Sequence, residues 1–378
     1  MLDLFSGMCA VASEVTPVRQ IWCNDIQHFA VEVAAAFFTS DEGPKISELL
    51  LSKLTAAFLR NRESLDTYFA SERSAEKSAL RSGDAARIAK TDAMAPNVAA
   101  SSIFAGRRAL LSRYPRRFPY QLFSISFSGA YFGLDQCIEI DSIRFAVDCL
   151  RDQKAIGPEQ HRWMILALCQ AVCKVSNTTG HFAQYLKVKR SNVERFIRQR
   201  SRSVWSEWLS AIQKFRPLGS KSWRQRNRIF RCDALSLLKD LGSARQRPAV
   251  IYADPPYTSD HYSRFYHVYE TLVEYDYPEA IGIGRYRPNR FRSNFCLKTQ
   301  IADQIDQLVR GCSLIGAEMV LSYPKNGLLG DSRNSIGSIL LKHYSRYEAY
   351  EFKHFHSSLG GSKGFEKRPV VEIVYRAH

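Results

Sequence analysis

The tetrapeptide Asp254-Pro255-Pro256-Tyr257 directly follows the apolar run Val250-Ile251-Tyr252-Ala253. It is the stretch of this chain best suited to chemistry on an aromatic amine. The run reads as a short buried strand, which the two prolines end by removing ladder donors and fixing φ. Its last side chains are thereby presented at a strand's carboxyl edge, where open α/β sheets bind ligands. An aspartate placed there can accept a hydrogen bond from an exocyclic amine. A carbonyl of the rigid Pro-Pro turn can accept the second, and the tyrosine ring can stack on a planar base. Such a set holds the amine with its lone pair free to attack an electrophile. The plainer alternative is a proline-ended strand whose aspartate caps the next helix.

A second motif favours the chemical reading. The segment Leu2 to Glu14 runs from an apolar strand, through a turn containing Gly7, into a helix. Then Ile21-Trp22-Cys23-Asn24-Asp25-Ile26 reads as another short strand ending in an acid. In nucleotide-binding sheets a tight turn after the first strand lets backbone approach the ligand, and an acid after the second meets ribose hydroxyls. A single glycine supports a phosphate cradle poorly. A ligand carrying adenosine without a pyrophosphate fits better.

Asp3-Leu4-Phe5-Ser6-Gly7, Asn24-Asp25 and Asp254-Pro255-Pro256-Tyr257 together resemble the amino-group DNA methyltransferases that use S-adenosylmethionine. The likeness is to the adenine-N6 enzymes whose cofactor motif precedes the catalytic one. Arg231-Cys232-Asp233-Ala234-Leu235 looks like the acid-bearing strand end that meets the cofactor's adenine. Leu321-Ser322-Tyr323-Pro324 looks like a later strand beside the base pocket. Tyr131 to Leu134, Asn177 to Phe182 and Tyr262 to His267 look similar to a restriction-modification subgroup. The resemblance implies a Rossmann-like, doubly wound, seven-stranded α/β sheet with a closing antiparallel strand and a large, mainly helical insertion. It also implies that Asp3, Phe5, Ser6, Gly7, Asp25 and Asp233 bind the cofactor. Asp3 to Gly7 would sit beside its methionine moiety, Asp25 on the ribose and Asp233 on the adenine amine, with Phe5 as a wall toward the substrate base. Asp254, Pro255, Pro256 and Tyr257 become the catalytic set.

A target adenine would first leave the duplex, because its amine is unreachable inside the stack. Stacking on Tyr257 and contacts to Asp254 and the Pro255 carbonyl would offset the few kcal/mol that flipping costs. Transfer is then direct, with Asp254 orienting and stabilising, and positioning the main catalytic contribution. Family members carry a short Gly/Lys segment before the first strand, whereas this chain starts on the strand itself. Gly360-Gly361-Ser362-Lys363 is a candidate replacement, although a flexible Gly-rich loop is the favoured reading.

The organisation of the chain fits. Its 378 residues, 45% of them apolar, suffice for one large domain plus an insertion. We divide it into 1–40 (cofactor motif), 41–225 (helical insertion, the expected target-recognition region) and 226–378 (catalytic motif and remaining strands). Apolar spacing predicts a helix over Lys45 to Leu54 and another over the charged, Ala-rich Glu72 to Lys90. Thr91 to Ser102 reads as a linker, and Gln136 to Ala146 fits either an alternating strand or a helix, with the resemblance favouring helix. Lys298 to Leu314 is helix-like, while Glu318 to Tyr323 and Pro369 to Tyr375 are buried strands. No apolar run approaches ~18 residues and no leader pattern opens the chain, so a membrane partner is not expected. Nine cysteines without Cys-x-x-Cys spacing suggest reduced thiols in a cytoplasm and no metal site. Cys169 and Cys173 read as helix packing.

The net charge of +16 is concentrated: Lys187 to Arg231 holds fourteen Lys or Arg against Glu194 and Glu207. A basic block of this kind is a footprint for polyanions. Arg195, Arg198 and Arg202 recur at helical spacing opposite Trp205, Trp208, Leu209 and Ile212, which reads as a basic helix packed on the body. Arg285, Arg287, Arg290 and Arg292, interleaved with Tyr286 and Phe291, read as an ordered loop clamping phosphates. The expected partners are double-stranded DNA and, in a restriction-modification or phage-defence setting, a cognate restriction endonuclease or defence-system subunit. Tyr262, Phe265 and Tyr266 are either base-pocket lining or core, with core favoured. His181 and His267 read as structural. Three other readings stay open: cytosine-N4 transfer, whose enzymes usually carry Ser or Thr at the Asp254 position; an RNA substrate; and a DNA-binding defence subunit with an impaired cofactor site.

Overall fold

A computed structural model describes residues 1–96, 102–330, 335–356 and 368–378. Its centre is one sheet of seven strands: β1 (Leu2–Asp3), β2 (Trp22–Asn24), β3 (Arg228–Phe230), β4 (Val250–Ala253), β5 (Glu318–Pro324), β6 (Tyr347–His356) and β7 (Arg368–Ala377). Their order is β3-β2-β1-β4-β5-β7-β6. The first five pair in parallel, while β7 runs antiparallel to both β5 and β6. The order reverses direction between β1 and β4, making the gap beyond their carboxyl ends the switch point where such sheets bind ligands. Leu2 lies opposite Ile251 and Asp3 opposite Tyr252. That register sets the loop that begins with Leu4 beside the loop that begins with Asp254.

Burial explains why such short strands hold. Leu2, Leu4, Ile251, Ala253, Met319 and Leu321 belong to one apolar cluster, completed by Leu237 and Leu241 of helix Ala234–Gly242 and Ile305, Leu308 and Cys312 of helix Ile301–Ile315. Fully burying each of the Leu, Ile and Met side chains among them is worth roughly 1.5–3 kcal/mol. β6, unassigned in the sequence reading, packs only at the sheet edge, with Tyr350 and Phe352 exposed.

The chain divides into two compact units. One comprises Met1–Asp41, Pro217–Arg264 and Phe291–His378 and contains the whole sheet. The other comprises Glu42–Arg216 and Phe265–Arg290 and is mainly helical. The return of Phe265–Arg290 to the helical unit is absent from the sequence reading, because nothing in local pattern marks it. Gln136 to Ala146 lies within helix Leu134–Asp152. That helix is buried on most of its circumference, so its apolar pattern has no clean helical period. Its polar residues are paired inside: Asp141 accepts from Phe123 N at 2.8 Å, Ser124 N at 2.8 Å and the Tyr275 hydroxyl at 2.6 Å. The expected helix near Lys45 runs Glu48–Tyr68, with the Ser47 hydroxyl accepting from Leu50 N. The stretch from Glu72 to Lys90 forms two helices, Ala70–Ser82 and Ala85–Ala93, parted by Gly83 at φ +67° and the cap Asp84. Of the expected linker, 97–101 lie outside the described residues, as does Gly360 to Lys363.

Candidate active site

The first loop is shaped by its acids and amides. Gly7 takes φ +47°, with open space where a Cβ would stand. Its N–H donates to Asp25 Oδ2 at 2.9 Å, and Gln27 N donates to Asp25 Oδ1 at 2.8 Å. Ser6 N donates to Asn24 O at 2.9 Å. Asp25 therefore fixes the turn. Asn24, buried and overlooked as a functional candidate in its own right, ties three strand ends together. Its amide donates to Leu4 O at 3.0 Å and Cys232 O at 3.1 Å and accepts from Cys232 N at 3.2 Å. Asp233 caps helix Ala234–Gly242, its Oδ1 accepting from Leu235 N and Ser236 N, both at 3.1 Å.

Asp3 is 2% exposed, and its Oδ1 and the Ser6 hydroxyl are buried without a hydrogen-bond partner. Buried polar groups rarely stay unpaired unless a ligand or water completes them. Two orphaned oxygens beside an open, positive-φ turn fit an adenosine-containing sulfonium. Burial pushes the Asp3 carboxyl up to about 7, with Asp254 and Asp25 adding like-charge repulsion.

Asp254 stands just past β4, its residue open to solvent on one side while protein surrounds most of the carboxyl. That crowding, with repulsion from Glu372 as the lesser cause, pushes its pKa up to about 7. Water reaching the open side moderates the rise without changing its direction. Tyr257 is half-buried, with edge contacts to Tyr262 and Tyr323, each at 6.4 Å between centroids, and its carbonyl accepts from Leu328 N at 2.9 Å. Phe5 meets Phe295 edge-on at 5.5 Å. Tyr323, Phe295 and Glu372 are neighbours that sequence reasoning did not name as site residues. The cue available for Tyr323 was its place in the strand flagged beside the pocket.

Phe265 takes the role favoured for it, whereas roles expected of the basic residues change. Phe265 is core: its ring meets His181 edge-on at 5.1 Å and its carbonyl accepts from Phe182 N at 3.1 Å. The flagged stretches around Tyr131, Asn177 and His267 converge inside the helical unit. The Tyr131 hydroxyl donates to Phe182 O at 2.6 Å, Asn177 N to Tyr131 O at 2.8 Å, and His267 Nε2 lies 2.9 Å from Phe182 O. The basic helix is two helices, Val193–Arg200 and Val204–Lys214, because Ser203 caps the second. Arg285 is buried and donates to Ser126 O at 2.7 Å, so it braces the loop instead of meeting phosphate. Arg287 makes a two-bond pair with Asp276 at 2.7 and 2.6 Å, Arg202 pairs with Glu207 at 2.6 Å, and Arg290 lies over Tyr286 at 4.6 Å. Arg195, Arg198 and Arg292 are exposed.

The sheet thus joins a parallel five-strand core to an antiparallel β7, with an acidic turn after β1 and an Asp-Pro-Pro-Tyr turn after β4. Residues 224–318, which carry Asp233 and Asp254 to Tyr257, match the family model described as D12 class N6 adenine-specific DNA methyltransferase. That match covers about a quarter of the chain. It is 27% identical over 56% of its length to the type II methyltransferase M.FokI of Planomicrobium okeanokoites, covering 29% of that protein. To the modification methylase LlaI of Lactococcus lactis it is 24% identical over 65% of its length, covering 36% of that relative. To the type II methyltransferase M.NlaIII of Neisseria lactamica it is 21% identical over 65%, covering 66%. The chain thus spans from under a third to about two thirds of these relatives. No solved structure gives a significant match.

Proposed function

We propose that this protein transfers a methyl group from S-adenosylmethionine to N6 of an adenine flipped out of duplex DNA. The observation that carries the proposal is the register of β1 and β4, which sets the Asp3 to Gly7 turn beside the Asp254 to Tyr257 turn at the switch point. When bound, S-adenosylmethionine supplies an electrophilic methyl group. Asp3, Ser6 and the Gly7 turn would hold its methionine end, Asp25 its ribose and Asp233 its adenine, with Phe5 as the wall toward the base. Asp254 and the Pro255 carbonyl accept the two amine hydrogens, which turns the nitrogen lone pair outward. Tyr257 offers its ring to the base, Pro256 stiffens the turn, and the site positions the reactants.

Exposed Arg195 and Arg198 on helix Val193–Arg200, and Arg292, are the best-placed of the predicted arginines for DNA phosphates. A cavity of about 180 Å³ beside Arg195 is lined by Asn177, Thr178, Asn192 and Gln199. All nine cysteines are free, and among the described residues no helix is long and apolar enough to cross a membrane. The setting we propose is a cytoplasmic restriction-modification or defence system with a cognate nuclease or subunit as partner. Incubation with methyl-labelled cofactor and unmethylated duplex DNA, followed by nucleoside analysis, tests the function. Label in N6-methyladenine supports it; label only in N4-methylcytosine, or none under saturating cofactor, overturns it.

A further inference from the structure

The sheet register gathers a polar row on one face of the sheet. Asp3 lies opposite Tyr252 in β1 and β4, Tyr252 opposite Val320 in β5, Ser322 opposite Val374 in β7, and Pro324 opposite Glu372. Ladder partners project to the same face, and residues two apart along a strand share it. Asp3, Tyr252, Ser322 and Glu372 therefore lie on one face, and Asp254, one step past β4, continues it. The Ser322 hydroxyl donates to Glu372 Oε1 at 2.7 Å, which fixes the carboxylate toward this row. The groups acting there are Asp3 and Asp25 from the first two strands, Tyr252 and Tyr257 on either side of Asp254, and Glu372 from β7. Lys325, one step beyond Pro324, falls on the opposite face and pairs with Glu351 at 3.8 Å.

We infer that Glu372, held by Ser322, is a positioning residue whose negative charge makes Asp254 the acceptor for the proton released by the newly methylated amine. The inference rests on the function proposed above and deepens it. Nitrogen that has gained a methyl group carries a proton it must lose. Its N–H bond breaks with the electron pair left on nitrogen, the proton bonds to a carboxylate oxygen of Asp254, and the open side of that residue returns it to water. An ordinary aspartate is a weak acceptor near neutrality. Burial, together with a second carboxylate across the sheet, pushes Asp254 upward, and proton transfer is most effective when acceptor pKa and working pH are close. Tyr252 senses the same field, its hydroxyl pushed upward by burial and by Asp254, Asp3 and Glu372.

The test is a carbon-13 carboxyl titration of Asp254 in the full chain without ligands, comparing wild type with Glu372→Gln. Gln keeps the length of the side chain and an acceptor for Ser322 while removing the charge. The Asp254 midpoint should fall by roughly one pH unit in the variant. The half-maximal pH of single-turnover methylation should fall in parallel. An Asp254 midpoint unmoved in a folded variant overturns the inference. Should Glu372→Gln not fold, Ser322→Ala releases the carboxylate from its anchor, and the midpoint should again fall, by less; no movement overturns the inference equally. A titration shift with no methylation in either protein would instead sink the proposed function and leave the coupling between the two carboxyls standing.

Discussion

At the scale of single residues, the site accepts instability to keep Asp3 buried. Its folded carboxyl holds a proton up to about 7, against 3.8 ordinarily. The stability this group allows is complete below about pH 4 and is lost as pH rises through about 7, where the folded state must carry a buried charge. Asp3→Asn removes that penalty. Urea midpoints measured from pH 4 to pH 8 should show the variant gaining on wild type across this interval, by roughly 3–4 kcal/mol at the top, then levelling. A gap independent of pH would mean that Asp3 is neutralised by something else. The same variant should bind S-adenosylmethionine more weakly, since its one amide oxygen is needed by the backbone donors of Ala12 and Phe5 and an NH2 would stand where the oxygen is orphaned here. Stabilisation with lost function is the pattern expected of a group kept for a ligand.

At the scale of elements, the turn after β1 depends on an acid eighteen residues away. Asp25→Ala strands the N–H groups of Gly7 and Gln27. We expect a stability loss of about 2 kcal/mol by thermal or urea unfolding, and at least a tenfold weaker cofactor affinity by calorimetry. An unchanged affinity would separate the turn from the cofactor site. The motif residues were legible in the sequence because strand ends, prolines and acids leave local marks. Asp254 to Tyr257 could be placed from four letters and the apolar run before them. The dependence of Gly7 on Asp25 was not legible, since a ribose ligand and a turn anchor ask for the same side chain. Glu372 was hidden for another reason: its partner Ser322 is fifty residues away and meets it only through antiparallel pairing. Arg285 misled, because a buried brace and a phosphate clamp look alike until the loop is folded. The break between Val193–Arg200 and Val204–Lys214 could have been read from Ser203, a good cap.

At the scale of the whole molecule, the charge of +16 is less available than its count suggests. Arg200 is buried against Glu76 and Asp92, and Arg202 and Arg287 are paired. Exposed Arg195 and Arg198 should carry more of the phosphate contact than the buried or paired arginines. Replacing both with Ala should lower duplex affinity, reduce the slope of log K against log salt by about 1.8, and leave the melting temperature within a degree or two. An unchanged slope would move the DNA-binding face elsewhere.

In the function proposed, Asp254 draws an adenine amine into position for methyl transfer. The most direct measurement is single-turnover methylation of unmethylated duplex DNA by wild type and Asp254→Ala, with cofactor and duplex affinities measured in parallel. We predict N6-methyladenine from the wild type and a loss of at least a hundredfold in rate for the variant, with both affinities retained within a few-fold. A variant that methylates adenine at the wild-type rate would contradict the account.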